Sequence, residues 1–565
     1  MPTIGVALSG GGERAALYDA AVVNALDGRN ASSVSKGLGG ILQATTYLSA
    51  LSGGSWMLAS LAINNFPEIY PMVLGGNGSE GWLLEFNLIA PGTTLQSNNY
   101  STALMHDLRN KHVEGFPVTI GDFWGRAIAR HFAPGTSRAN FYTSTTEADH
   151  GASVTWSSVR NLSSYRDFEL PFPVITADAY SFSLANLATY DESAIPLQTV
   201  VYELSPVEFG SFDPQLAKFL PMENLGTTLV DGQVVSGECV TNYDNAGWVM
   251  GASSDLFHAL NLTRPEYWRT AVQPVVNLID HAFNLTQRHQ QLDVSAVPNP
   301  FFAVTSPNAS LSYPDQHETQ LRLVDGGLDG EVIPISALGV PARNLDLIIV
   351  ADGSADTIEN TPAGGSIAAT VARIALLPSG TYNLPPLPKT TNTFVAQGLN
   401  KRPTLFGCNG TAPKLDSQRA NASYPLMVYL PNYDPTGTTD TGTFQTAYSS
   451  WEMEGFLDAG VAIAGRGIRS SRGEADATWP TCLACAVVER SRGKVGVDRT
   501  DECSECFSRY CWSEVEAKTW EGLVKPATTI AKRGTGGKAQ SWEVDRAGER
   551  HERRLAGGRH RRVVN

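Results

Sequence analysis

Twice within its first 64 residues the chain runs from a short apolar segment into clustered glycines and then into helical spacing. Ile4–Leu8 ends at Ser9-Gly10-Gly11-Gly12. Ala16, Leu17, Ala20, Ala21 and Val23 then fall on one helical face between Arg14 and Asn24. Residues 44–50 lead into Leu51-Ser52-Gly53-Gly54, with a helix expected from Ser55 through Asn64. A strand that turns on glycine directly into a helix is the building unit of an α/β sheet, and it aims the helix's first N–H groups at whatever lies beyond the strand. Two more apolar runs extend the pattern. Leu321–Val324 stops at Asp325-Gly326-Gly327, and Leu345–Ala351 reads as a central strand of a parallel sheet. The long stretch between them, roughly 65–315, is rich in turns and aromatics and is expected to form an insertion or cap.

Charge narrows the partners. The formal net charge is −14, but Ala531–Asn565 holds ten Lys/Arg against four Asp/Glu, a balance of +6 that leaves −20 on the rest. An acidic body is unsuited to nucleic acid, which needs basic patches, and to anionic membranes by charge alone. Residues 516–565 read as a low-order basic tail. No apolar run is long enough for a spanning helix.

The compartment signals disagree. Asn-X-Ser/Thr sequons occur at Asn30, Asn77, Asn99, Asn161, Asn261, Asn284, Asn308, Asn409 and Asn421, a density that suits a secreted glycoprotein. Cys482-x2-Cys485 and Cys503-x2-Cys506-x4-Cys511 would suggest zinc inside a cell and disulfides outside it; the sequons favour disulfides. Residues 1–8, however, read as a buried strand and not as a charged-then-apolar leader. Either the protein is cytosolic or its N-terminus is incomplete.

The first glycine turn has three readings. Gly10-Gly11-Gly12-Glu13-Arg14-Ala15 formally satisfies the dinucleotide fingerprint, but the acidic residue required about 20 positions on is not evident. A phosphate-binding P-loop fails because no Gly-Lys-Ser/Thr follows. The third reading is an oxyanion hole, in which Gly11 and Gly12 let N–H groups approach a developing negative charge. Arg14 fits this reading. A cation in a first helical turn is disfavoured by about 0.3–1 kcal/mol, a cost that an anion such as a phosphate would offset. An ordinary strand–helix turn with a surface arginine is the plain alternative.

Ala50-Leu51-Ser52-Gly53-Gly54 resembles a nucleophile elbow, with Ala50 standing where the motif has glycine. The base is harder to place. In the chain order serine, acid, histidine, only His551 and His560 follow Asp325, and both sit in the tail. A Ser52–Asp325 dyad needs no histidine. On local grounds alone, Asp325-Gly326 reads as a turn before it reads as a base.

Together these segments resemble a known family. Ser9–Arg14, Leu51–Trp56 and Val324–Gly330 occur in the order seen in fungal lysophospholipases (phospholipase B), relatives of the cytosolic phospholipase A2 catalytic domain and, more distantly, of patatin. Asp122–Arg126, Glu208–Asp213, Gly251–Ser254, Asp352–Asp356, Cys482–Cys485, Cys506-Phe507 and Tyr510–Trp512 also match. The resemblance implies a three-layer α/β/α catalytic domain over residues 1–515, with large insertions and a Cys-rich C-terminal end. It implies Ser52 as nucleophile, Asp325 as its base, Gly11 and Gly12 as oxyanion donors, and Arg14 facing the substrate phosphate. The expected substrate is a lysophospholipid or phospholipid at a micelle or membrane surface, hydrolysed without cofactor or metal, in an extracellular or cell-surface setting. The alternatives are a non-catalytic lipid- or glycan-binding surface protein of the same fold, against which an intact Ser52, Asp325 and Arg14 speak, a nucleotide-dependent oxidoreductase, and a neutral lipase, for which Arg14 is the discriminator.

Overall fold

The computed structural model describes residues 1–513 except 77, 145–148, 192, 236, 238, 286–290, 409–423 and 469–473. The expected tail, 516–565, lies outside the described residues, as do Asn77, Asn409 and Asn421 of the sequons.

The architecture is a mixed sheet of eleven strands with helices on both faces. Its centre is parallel: β1 (Ile4–Leu8) lies between β2 (Thr45–Ala50) and β9 (Leu347–Asp352), and β9 pairs on its far side with β11 (Leu426–Pro431). The expected central strand is thus β9, buried at every position. The short β10 (Thr404–Phe406) closes this edge antiparallel to β11. On the other side β3 (Phe172–Ala179) is parallel to β2, and β4 (Val201–Leu204), β5 (Glu208–Ser211) and β6 (Lys218–Pro221) continue antiparallel. Two more strands, β7 (Ser295–Pro298) and β8 (Gln320–Asp325), pair with each other, and β8 also pairs with β3. The 65–315 stretch therefore supplies β3 to β7 to the main sheet.

Because side chains alternate across a strand, β1 and β9 feed two cores. Val6, Leu8, Ile349 and Ala351 pack with α1 (Gly12–Leu26), α2 (Ser52–Ile63), α3 (Ile120–Phe132), α4 (Ala246–Ser253) and α6 (Ser450–Gly465). Ala7, Ile348 and Val350 pack on the other face with Ile367 of α5 (Gly365–Leu376). These are the three layers expected from the sequence.

The five clustered cysteines are all in disulfides, as the sequons suggested, and one partner, Cys408, comes from outside the cluster. Cys408–Cys511, Cys482–Cys506 and Cys485–Cys503 are disulfides, and Cys239 is free and exposed. The last two bridges staple α7 (Trp479–Lys494) to α8 (Asp501–Tyr510). Among the described residues no helix is long and apolar enough to cross a membrane.

Candidate active site

The register of β3 explains how two residues 273 positions apart meet. Along the first half of β3 the neighbour is β2, ending with Ala50 opposite Ile175. Beyond that point β8 takes over the same flank, running the other way and ending with Asp325 opposite Ala177. The two strands therefore finish head to head, two β3 residues apart, or about 7 Å. Ser52 leaves one end and Asp325 the other. The Ser52 hydroxyl donates to Asp325 Oδ2 at 2.7 Å, and each residue is only 7% exposed. Asp325 does end its strand, as the sequence suggests, but the strand is antiparallel to β3.

The serine turn is strained as an elbow should be. Helix α2 begins at Ser52 itself, three residues earlier than its spacing predicts, with Ser52 at φ 49°. That left-handed conformation is uncommon for a residue with a Cβ. Asp325 is held equally closely. Its Oδ1 accepts from Gly327 N–H at 2.9 Å, and its own N–H donates to Asp255 O at 2.9 Å.

The first glycine turn lies alongside. A Cβ on Gly53 would stand 2.0 Å from Gly12 O, so the two turns touch backbone to backbone. Gly11 (φ 137°) and Gly12 (φ 68°) adopt conformations that favour glycine, and they open α1, where N–H groups have no partner within the helix. The Thr443 carbonyl lies over Gly12, 2.4 Å from where a Cβ would be.

Arg14 sits in the first turn of α1 with no solvent exposure. Its guanidinium donates to Asn360 O at 2.9 Å and to Thr443 Oγ1 at 3.5 Å. Burial draws it below the usual arginine range, against the opposing pull of Tyr448, Asp352, Asp356 and Asp19. Asp352 is itself pushed up to about 6, first by burial and then by Asp356. The sequence offers no hint that the Arg14 face is walled by carboxylates.

Three buried histidines are committed elsewhere. His131 faces Leu83 O, His150 faces Arg130 and Thr136, and His258 pairs with Asp293. The serine hydroxyl thus meets a carboxylate directly.

The loop after Asp325 is anchored by a buried arginine. Arg373 of α5 bonds Asp329 at 2.9 Å and Asp213 at 3.2 Å, with Glu331 at 3.3 Å. Sequence reasoning missed this residue. It joins two of the matching motifs, Glu208–Asp213 and Val324–Gly330, but lies in neither.

A mixed α/β sheet that delivers a serine hydroxyl to a carboxylate beside a glycine-rich helix start has the parts that an α/β ester hydrolase uses. Comparison with known proteins narrows the class. Residues 4–517 match the lysophospholipase catalytic domain. The chain is 35% identical over 551 residues to lysophospholipase 1 of Aspergillus fumigatus, covering 95% of this chain and 80% of that protein. It is 35% identical over 536 residues to probable lysophospholipase 5 of Schizosaccharomyces pombe, covering 94% and 80%. Human GIVD cytosolic phospholipase A2 superposes with a TM-score of 0.58 over 87% of this chain at 16% identity, a likeness of fold; the chain spans 63% of that structure. The chain belongs to the lysophospholipase catalytic-domain family.

Proposed function

We propose that the protein hydrolyses fatty-acyl esters of lysophospholipids, and of diacyl phospholipids, presented at a micelle or membrane surface. The observation that carries this is the 2.7 Å bond from Ser52 Oγ to Asp325 Oδ2. In the reaction, Ser52 Oγ bonds to the acyl carbonyl carbon as its proton passes to Asp325. The N–H groups of Gly11 and Gly12 receive the oxyanion. Collapse breaks the ester C–O bond, and the departing glycerol oxygen takes the proton from Asp325. Water then attacks the acyl-serine and gives its proton to Asp325; the acyl C–O bond breaks, Ser52 Oγ takes that proton back, and the fatty acid leaves. Arg14 would meet the substrate phosphate, for which the bonds to Asn360 O and Thr443 must open. Such a guanidinium–phosphate pair is charge-assisted.

We also propose an extracellular or cell-surface location, supported by the three disulfides, which persist in oxidising compartments. The deciding assay is fatty-acid release from lysophosphatidylcholine without added calcium, beside Ser52→Ala. Release that vanishes in the variant supports the reading. A folded parent that releases nothing would instead favour a non-catalytic surface protein.

A further inference from the structure

The end of α4 and the residue after it, Gly251-Ala252-Ser253-Ser254, form a motif to which the proposed chemistry gives no task. In the structure this segment grips both halves of the dyad. Ser253 Oγ accepts the N–H of Ser52 at 3.1 Å and donates to Thr176 O of β3 at 2.6 Å. The Ser253 carbonyl accepts the N–H of Gly326 at 3.2 Å, in the turn that Asp325 begins. Two residues on, Asp255 O accepts the N–H of Asp325 itself. Ser253 is fully buried.

The Ser52 N–H belongs to the first residue of a helix, so no helical carbonyl serves it. It also belongs to a residue at φ 49°, a conformation that surrounding structure must impose. One hydroxyl does both tasks, because its own position is fixed by β3, the strand against which β2 and β8 end.

We infer that Ser253 is a positioning residue for the hydrolysis: its hydroxyl holds the Ser52 backbone in the strained turn, while its carbonyl holds the Asp325 turn, so that a single residue sets the serine–carboxylate alignment. This rests on the reading of Ser52 and Asp325 given above. Removing the hydroxyl leaves a buried N–H without an acceptor and frees the turn to relax, which lowers the reactivity of Ser52 more than it weakens substrate binding.

The test is the rate of Ser52 phosphonylation by a fluorophosphonate, in which the Oγ–P bond forms, fluoride leaves and the serine proton passes to Asp325. The parent enzyme is compared with Ser253→Ala and with Ser60→Ala, the latter removing an equally buried hydroxyl from α2 that bonds Phe132 O. Labelling of the parent at Ser52 decides the underlying reading; the variants decide the role of Ser253. The expected result for Ser253→Ala is a phosphonylation rate and a kcat both lower by about tenfold or more, with KM within about twofold. Ser60→Ala should lose thermal stability but keep the parental rate. Should Ser253→Ala fail to fold, Ser253→Thr, which keeps the oxygen, is set against Ser253→Cys, which substitutes a poor acceptor. The threonine variant should then react faster. Parental rates in Ser253→Ala, losses in both alanine variants that merely follow their melting temperatures, or equal rates for threonine and cysteine would overturn the inference.

Discussion

The carbonyl of Val332 accepts the N–H of Gly10 at 2.8 Å, so the loop that leaves Asp325 is tied to the turn that precedes Gly11 and Gly12. The segments that carry Asp325, Ser52 and the first glycine turn are thereby one assembly. The three segments come from positions 10–12, 52–54 and 325–332, and each leans on the next. A change in any one of them is felt by the other two.

Gly53→Ala tests that closure. The added carbon would fall 2.0 Å from Gly12 O, and neither partner is a flexible side chain. The two turns must separate, which on the proposed mechanism displaces an oxyanion donor from Ser52. Hydrolysis should fall by about a hundredfold or more, the scale of losing one oxyanion donor. Retention of full activity in a crystal-verified variant would refute the backbone contact as a requirement.

Arg14→Ala separates phosphate recognition from general support of α1. Turnover of lysophosphatidylcholine should drop about tenfold further than turnover of an uncharged short-chain ester in the same preparation. Equal losses on the two substrates would mean that Arg14 acts only through its bonds to Asn360 and Thr443.

The Arg373 cluster predicts a pH effect of definite sign. Burial, aided by Asp329, pushes Glu331 up to about 7 despite the neighbouring guanidinium. Between its unfolded value, about 4.3, and about 7 the folded state holds a proton that the unfolded chain has released. This contribution to stability is therefore complete below that window and is lost as pH rises through it. Glu331→Gln cannot titrate. The melting temperature of the parent minus that of the variant should fall from pH 5 to pH 8, and a rise would contradict the assignment.

Removing the Cys485–Cys503 bridge should cost stability and spare chemistry. Its closed loop has a sequence separation of 18, for which the chain-entropy account gives about 3 kcal/mol. The bridge joins α7 to α8, and neither helix contributes to the turns that carry Ser52 and Asp325. The double serine variant should unfold at lower denaturant yet hydrolyse lysophospholipid at an undiminished rate at 25 °C. A loss of activity without a loss of stability would be the opposite result.

Much of this arrangement was legible in the chain. Strand, glycine and helix at Ile4–Gly12 and at Ala50–Gly54 are local signals, because φ preference and apolar spacing need no distant partner. The clustered cysteines were foreseeable as disulfides from the sequons, though neither their pairing nor the part of Cys408 was. What stayed hidden is non-local. Nothing around Asp325 reveals that its strand runs antiparallel to β3, since that depends on a pairing with residues about 150 positions away. Ser253 looks like any small residue at a helix end until Ser52 is placed over it. Arg14 is visible as a cation in an awkward place, but the carbonyl and hydroxyl that hold it come from Asn360 and Thr443, more than 340 residues on.

The positive φ of Ser52 sets two evolutionary pressures against each other. A glycine there would relieve roughly 1–2 kcal/mol of backbone strain, so selection for folding alone favours losing the hydroxyl. On the proposed mechanism, only selection for turnover keeps it. In a lineage that ceased to need the reaction, this position would be among the first to drift, and the drift would make the protein sturdier as it fell silent.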